Sequence, residues 1–153
     1  MTGVQTCALP ISGHPRSPDL PSDRDFLAAK LALADFGVTQ FFFEAAEYTQ
    51  LVADLRDRDV HTPVLPGILP VTSLSTMNRL GPMGAAAPSW MQDRLRQADA
   101  DGGPDNVRKV GVELATELCA DLLKAGVPGL HFYTFNTSNA TREIYAALGL
   151  GPS

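Results

Sequence analysis

The sequence contains few of the residues that build disulfide frameworks, zinc sites or nucleic-acid surfaces. It has two cysteines and three histidines among 153 residues. Two cysteines do not make a disulfide framework, and the scattered histidines lack the spacing of zinc ligands. There is no basic run and the net charge is −5 at pH 7, so nucleic acid is not an expected partner. The sparse cysteines predict a cytoplasmic protein.

Long apolar runs and the common nucleotide-binding motifs are also missing. No stretch of 18 consecutive apolar residues is present, so no transmembrane helix and no membrane partner are predicted. The short apolar patch ALPI near the start is shorter than a signal-peptide core of about 7–15 residues. The patterns GxGxxG, GxxxxGK[ST] and GxSxG do not occur. Their absence argues against a dinucleotide-binding loop of the Rossmann type, a P-loop and a hydrolase nucleophile elbow.

Three short apolar runs dominate what the sequence does contain. Each is about the length of a strand, is bounded by Gly or Pro, and lacks the polar alternation of a strand with one wet face. Such runs predict strands buried on both faces of a parallel sheet. They are Gly37–Phe43 (GVTQFFF), Pro63–Leu69 (PVLPGIL) and Gly129–Phe135 (GLHFYTF).

Helical patterns lie between and around these runs. A capping-box-like stretch from Ser22 to Asp25 predicts a helix start, and apolar residues spaced i, i+3, i+4 and i+7 predict further helices. The segment Asp99–Asp105 (DADGGPD) lacks the ligand spacing of a calcium loop and is predicted to be a turn. The other predicted helices cover Tyr48–Leu55, Val107–Leu122 with Gly126 as C-cap, and Asn139–Leu148.

Alternating strands and helices predict an α/β protein with a parallel sheet or a (β/α) barrel. A complete barrel needs eight strands and about 250 residues, and the sequence predicts three strands. The expected fold is therefore a partial (β/α)8 TIM barrel, about the last three strands with their helices.

Polar residues at the ends of the predicted strands are candidates for a site, because chemistry in such barrels gathers at the carboxyl ends of strands. Gln40 interrupts VTQFFF, and an amide can both donate to and accept from a heterocycle. It can equally be a structural glutamine bonded to backbone. Tyr133 can line a pocket with its hydroxyl toward a ligand, or be a core residue with a satisfied hydroxyl.

His14, Asp23 and Lys30 form a second group of candidates. Asp23 and Lys30 are seven residues apart, two helical turns, and so are predicted to lie on one face of the first helix. A carboxylate accepts hydrogen bonds from sugar hydroxyls and a lysine neutralises a phosphate, so the pair suits a nucleotide. A solvated face of mixed charge is the alternative.

Four ordered motifs resemble the methylenetetrahydrofolate reductases, which are FAD-dependent (β/α)8 barrels. They are GHPRSPDLPSDRDFLAAK, VTQFFFE, PVLPGILPVT and PGLHFYTFN, and the resemblance runs from Gly13 to about Leu150. It implies the later part of the barrel, from the loop after the fifth strand through strands six to eight.

The resemblance implies a role for each candidate residue. His14 matches a histidine that contacts FAD, and Asp23 and Lys30 match positions that hold its ribityl and phosphate parts. Gln40 matches a glutamine that binds folate and nicotinamide in turn, and Tyr133 a tyrosine beside the folate site, so these two are the predicted catalytic and substrate-binding residues. The implied reaction is reduction of 5,10-methylenetetrahydrofolate to 5-methyltetrahydrofolate, with NADH or NADPH reducing FAD. A homo-oligomeric parent enzyme is also implied.

The sequence departs from the family pattern around the folate site. Thr137 stands where the family usually has an arginine that pairs with the glutamate carboxylate of folate, and Arg142 lies further along. Loss of a charge-assisted bond costs about 1.5–3 kcal/mol. Thr76 and Leu80 occupy positions where many members have Gln and Phe.

Residues 1–12 (MTGVQTCALPIS) fit none of this pattern. Their stretch from Val4 to Ile11 equals the translation of a sequence resembling a common sequencing adapter. The hypothesis is that residues 1–12 are a non-native leader and that residues 13–153 are the C-terminal part of the reductase barrel.

Such a part is expected to be inactive alone and poorly soluble, because a split barrel leaves strand edges unpaired. A non-catalytic half-barrel that binds flavin or folate, or serves as a subunit, is the alternative. Another FAD barrel, such as a relative of proline dehydrogenase, is disfavoured by HFYTFN and PGILPVT.

Overall fold

Strands and helices alternate along the chain in the computed structural model, which describes residues 6–9, 18–135 and 137–151. The short segments between them are loops and turns. In chain order the elements are β1 (Thr6–Leu9), α1 (Leu20–Leu31), β2 (Phe36–Phe41), α2 (Ala45–Arg56), β3 (Val64–Ile68), α3 (Leu74–Leu80), α4 (Ser89–Lys124), β4 (His131–Phe132) and α5 (Asn139–Ala147).

The four strands form one parallel sheet in the order β1-β2-β3-β4. Each strand pairs with the next along the chain, with a helix in each crossover, as in a (β/α) barrel. The α/β class and the three predicted strands are confirmed. The fourth strand, β1, lies within residues 1–12, for which no structure was predicted, and pairs Thr6 with Phe36. The non-native origin of residues 1–12 remains a prediction.

Apolar helix faces cover the sheet and form its main core. Leucines of α1, α2 and α4 pack together with residues of β3 and α5, as the sequence periodicity predicts for amphipathic helices. The fully buried members include Leu31, Leu51, Leu122 and Ile144. Of the described helices, none is both long enough and apolar enough to cross a bilayer.

The start of α1 differs from the predicted capping box at Ser22. The N-cap is Asp19, whose carboxylate accepts a hydrogen bond from the Ser22 backbone N–H at 2.7 Å, and Pro21 lies in the first turn. This bond lowers the pKa of Asp19. Three residues that can cap lie close together, and Asp19 is favoured because proline suits the first turn of a helix.

Helix α4 includes the segment Asp99–Asp105, which was predicted to be a turn. That prediction is wrong in extent, because helix continues on both sides of a single kink at Gly103, where φ is 69°. Pro104 follows directly and begins the second half of α4. Its missing N–H costs nothing there, because the first N–H groups of a helix have no partner within the helix. Gly126 ends α4 as predicted: its φ is 79° and its N–H donates to the carbonyl of Leu123.

Strand β4 is two residues long rather than the seven predicted. Tyr133 still donates its backbone N–H to the carbonyl of Ile68 at 2.8 Å, but the chain then leaves the sheet. Phe135 has a φ of 45°, which turns the backbone out of the extended conformation. The apolar run therefore divides into a strand and the beginning of a loop.

Candidate functional site

A break in the β2–β3 ladder defines the carboxyl end of the sheet. Gly37 pairs with Val64 and Val38 with Leu65, after which the register shifts and Phe41 pairs with Gly67. Thr39 lies within this break and is fully buried. Its hydroxyl oxygen accepts a hydrogen bond from the Gly67 N–H at 2.8 Å. The Thr39 side chain thus accepts from the Gly67 N–H, which the irregular ladder leaves without a partner on the neighbouring strand.

Tyr133 ties β4 to the same point. Its hydroxyl donates to the carbonyl of Thr39 at 2.8 Å, and its ring meets that of Phe41 edge-on with centroids 5.8 Å apart. Burial raises the pKa of Tyr133, so the phenol stays protonated at neutral pH and keeps donating. Of the two interpretations left open for Tyr133, the satisfied hydroxyl is therefore present.

Gly67 makes this arrangement possible. A Cβ at this position would lie 2.4 Å from the carbonyl oxygen of Thr39 and 2.7 Å from Cε2 of Tyr133. The tyrosine ring thus crosses β3 where β3 has no side chain, and it reaches the neighbouring strand. Glycine is required here for close approach, since the backbone conformation itself is extended within a strand.

A cavity of about 450 Å³ opens beside Tyr133, between α3 and the loop that joins β4 to α5. We call it the carboxyl-end cavity because it adjoins the carboxyl ends of β3 and β4. Tyr133 is half-buried and forms part of its lining, so a satisfied hydroxyl and a pocket position coexist. The described residues that line it are Leu69, Pro70, Thr72, Thr76, Arg79, Leu80, Met83, Tyr133, Thr134, Phe135, Thr137, Ala140 and Thr141.

Helix α3 forms one side of the carboxyl-end cavity. Ser73 caps this helix by accepting from the Thr76 N–H at 3.1 Å, and its own hydroxyl donates to Thr76 Oγ1. Thr76 and Arg79 are three residues apart and so face the same way. The resemblance had singled out Thr76 and Leu80, and both line the cavity.

The loop after β4 forms the opposite side. Thr137 donates both its backbone N–H and its hydroxyl to the carbonyl of Thr134, at 2.8 and 2.9 Å, which closes a turn. The turn presents Phe135, which is 57% exposed and has a positive φ. A bulky residue with positive φ is an outlier that costs about 1–3 kcal/mol and often marks a functional position.

Gln40 lies near Tyr133 but outside the lining of the carboxyl-end cavity. Its backbone follows Thr39 directly, and its carbonyl carbon would be 3.3 Å from a Cβ on Gly67. The Gln40 side chain is half-buried, and its Oε1 accepts from the Phe41 N–H at 3.3 Å. Gln40 and Tyr133, which were predicted to act together, therefore lie at one edge of the sheet, but the Gln40 amide is bonded to the backbone of Phe41.

The predicted flavin residues do not come together at this cavity. Asp23 is 3% exposed and lies 3.5 Å from the guanidinium of Arg24, which also pairs with Asp54. Lys30 is exposed. The two side chains thus differ in accessibility, so the alternative of a solvated face of mixed charge does not describe Asp23. His14 lies outside the described residues.

A second cavity of about 400 Å³ lies at the other end of the sheet. We call it the amino-end cavity because it adjoins the start of β3 and the loop after α4. Thr49, His61 and Thr62 are among its lining residues. Since barrel chemistry is found at the carboxyl ends of strands, the carboxyl-end cavity is the candidate site.

Several residues of the site were not found from the sequence. Thr39 and Gly67 position Tyr133, and Arg79 and Phe135 line the carboxyl-end cavity. Helical spacing from Thr76 was a usable signal for Arg79. No sequence signal indicates the positive φ of Phe135, because that conformation is typical of glycine or asparagine.

The parallel sheet, its helical crossovers and the cavity at its carboxyl end define a partial (β/α)8 barrel. A solved structure with this fold is an uncharacterised protein from Clostridium thermocellum that binds two copies of 5-methyl-5,6,7,8-tetrahydrofolic acid. The TM-score is 0.66 at 15% identity, over 95% of this chain and 52% of that one. The family model described as Methylenetetrahydrofolate reductase matches residues 2–149. The chain belongs to the methylenetetrahydrofolate reductase family.

Curated relatives are similar over most of the chain but are longer than it. A probable methylenetetrahydrofolate reductase (NADPH) of Caenorhabditis elegans is 36% identical over 90% of this chain and 21% of its own length. A 5,10-methylenetetrahydrofolate reductase of Buchnera aphidicola is 32% identical over 90% of this chain and 47% of its own. The chain thus spans less than half the length of either relative.

Proposed function

We propose that this chain supplies the folate-binding end of a methylenetetrahydrofolate reductase barrel. The observation that carries the proposal is the carboxyl-end cavity beside Tyr133. Its volume of about 450 Å³ lies within the range of about 300–1,000 Å³ typical of small-molecule sites. The similarity to a folate-binding protein from Clostridium thermocellum supports the same ligand class.

The lining of the carboxyl-end cavity suits a flat, polar heterocycle with an extended tail. Tyr133 and Phe135 offer aromatic surface to a ring. Five threonines add hydroxyls, of which that of Thr137 already donates to the Thr134 carbonyl and can only accept from a ligand. The Tyr133 ring is fixed by its bond to Thr39, so little side-chain freedom is lost when a ligand stacks on it. The five are Thr72, Thr76, Thr134, Thr137 and Thr141.

The proposed reaction of the complete enzyme is reduction of 5,10-methylenetetrahydrofolate to 5-methyltetrahydrofolate. FAD, when bound to the complete enzyme, would supply the redox chemistry between NADH or NADPH and folate. Gln40 and Tyr133 are proposed to contact the substrate. For Gln40 this requires its amide to leave the Phe41 N–H, a weak bond of 3.3 Å, and turn toward the ligand. A cytoplasmic location and a homo-oligomeric parent enzyme are part of the proposal.

The described residues fit FAD only in part. Lys30 is exposed and suits a phosphate, whereas the carboxylate of Asp23 is buried beside Arg24. Binding of folate without flavin would instead favour the alternative, a non-catalytic folate-binding half-barrel.

Filling the carboxyl-end cavity tests the proposal. We expect the chain to bind 5-methyltetrahydrofolate, and Thr76→Trp to weaken binding at least tenfold, because indole would occupy the space that the ligand needs. Isothermal titration calorimetry measures both affinities. Thr49→Trp is the matched control, since it places the same bulk in the amino-end cavity. Equal affinities for both variants, or no binding to the unaltered chain, would contradict the proposal.

Phe135 provides a further test, because replacing it by glycine should relieve backbone strain and yet weaken ligand binding. Phe135→Gly removes the cost of a positive φ, so the free energy of unfolding should stay level or rise by up to about 1 kcal/mol. The same change should weaken 5-methyltetrahydrofolate binding about three- to tenfold through lost ring contact. Urea denaturation and calorimetry measure the two effects.

The control for Phe135 is Phe26→Ala, which removes a 64% exposed phenylalanine from α1, outside the cavity. It should leave the ligand affinity unchanged. A Phe135→Gly variant that binds as tightly as the unaltered chain would show that the ring does not contact the ligand.

A further inference from the structure

Arg79 brings a positive charge to a cavity that is otherwise neutral. Of the described residues lining the carboxyl-end cavity, Arg79 alone carries a charge, and the others are apolar, aromatic, or threonine. No carboxylate of the described residues lies within 4 Å of its guanidinium. Its Nε donates weakly, at 3.3 Å, to the carbonyl of Ser75 within the same helix.

The position of Arg79 is set by the fold. The cap at Ser73 fixes the first turn of α3, and Arg79 follows Thr76 by three residues on the side that faces the cavity. Leu80 is fully buried next to it and anchors this end of the helix. Arg79 thus lies exposed at the rim of the cavity on a rigid element, and of its five N–H donors the Nε–H is the one bonded within the described residues.

The opposite side of the cavity offers no comparable group. Thr137 uses both its N–H and its hydroxyl to close the turn onto Thr134. Arg142, on α5, is exposed and is not among the lining residues, whereas its neighbour Thr141 is. An anionic end of a ligand in this cavity therefore meets positive charge only on the α3 side, as far as the described residues extend.

We propose that Arg79 binds the carboxylate end of the ligand and makes this site selective for folates that carry their glutamate. The inference rests on the proposed folate function and assigns the end of the ligand that lies along α3. A guanidinium suits this role because its planar array of N–H groups can bind a carboxylate with two parallel hydrogen bonds. Arg79 is a specificity-determining residue in this proposal and takes no part in hydride transfer.

The test compares two ligands that differ only in the charged end. The probes, titrated into the full chain, are 5-methyltetrahydrofolate and the primary amide of 5-methyltetrahydropteroate, which keeps the benzamide of folate but lacks the glutamate and carries no carboxylate. Arg79→Gln should weaken the first about three- to tenfold and leave the second unchanged, since an exposed ion pair is partly screened by water. Arg79→Lys should restore part of the preference for 5-methyltetrahydrofolate over the second ligand. In the unaltered chain, 0.5 M salt should reduce that preference.

Arg142→Gln is the matched control and should bind both ligands as the unaltered chain does. The proposal is overturned if Arg79→Gln binds both ligands normally, weakens both equally, or behaves like Arg142→Gln. Those results would leave the folate function standing. If the unaltered chain bound neither ligand, the proposed function would fail and the role of Arg79 with it.

Discussion

Gly67→Ala is expected to lower the free energy of unfolding by about 2–4 kcal/mol and to displace Tyr133, which shapes the candidate site. The added methyl would lie 2.4 Å from the carbonyl oxygen of Thr39 and 2.7 Å from the Tyr133 ring. The Thr39 carbonyl oxygen cannot move away without breaking the hydrogen bond that it accepts from the Tyr133 hydroxyl, so the cost is that of overpacking plus a lost hydrogen bond. Urea denaturation measures the loss.

Gly81→Ala is the matched control for Gly67. Gly81 follows α3 with a φ of −56°, and a Cβ there would meet nothing within 4 Å. The change should alter stability by at most about 1 kcal/mol, in the stabilising direction, because alanine has less freedom in the unfolded chain. Equal effects at the two glycines would show that Tyr133 does not cross β3 as described.

Gly111→Ala is expected to destabilise the chain by a similar amount, although it lies in the middle of a helix. Helix propensity alone predicts a gain of about 1 kcal/mol for this substitution. The Cβ, however, would lie only 1.9 Å from the carbonyl oxygen of Val71, in the segment that joins β3 to α3. Steric conflict with backbone should dominate and push α4 away from that segment.

The decisive result for Gly111→Ala is therefore whether the free energy of unfolding falls or rises, which urea denaturation measures. The reactivity of Cys119 measures independently whether α4 has moved away from the segment after β3. Cys119 is buried on α4, and burial raises the pKa of its thiol to about 12. Labelling by a thiol reagent at pH 8 should be slow in a Cys7→Ser chain and faster when Gly111→Ala is added. A stabilised variant with unchanged labelling would contradict the close contact.

Much of the sheet could be predicted because the apolar runs are strong local signals. GVTQFFF and PVLPGIL are bounded by Gly or Pro, and β2 and β3 lie within a residue or two of those limits. The run GLHFYTF was harder, because apolar residues continue past β4 into a loop whose aromatic side chains line a cavity. Hydropathy does not distinguish a buried strand from a loop whose aromatic side chains line a cavity.

The candidate site could be predicted in part. Tyr133 was found from its place near the end of a predicted strand, and the motif departures at Thr76, Leu80 and Thr137 all proved to line one cavity. The residues that shape the site were missed, because Thr39 and Gly67 act through contacts between strands. Such long-range contacts leave no periodic pattern along the chain.

The burial of Asp23 was also beyond sequence reasoning. A charged residue is rarely buried, and the spacing to Lys30 indicated only a shared helix face. In the folded chain Asp23 and Arg24 are buried together, and Arg24 reaches Asp54 on α2. This pairing between helices depends on how α1 and α2 pack, which the local sequence of α1 does not encode.

Threonine methyl NMR during titration with 5-methyltetrahydrofolate is the most direct test of the central claim, that the carboxyl-end cavity binds folate. Threonines line both cavities, so one spectrum reports on both ends of the sheet. We predict that the methyl signals of Thr76, Thr134 and Thr141 shift in a saturable manner, while those of Thr49 and Thr62 stay in place. Shifts confined to Thr49 and Thr62, or no shifts at all, would contradict the claim.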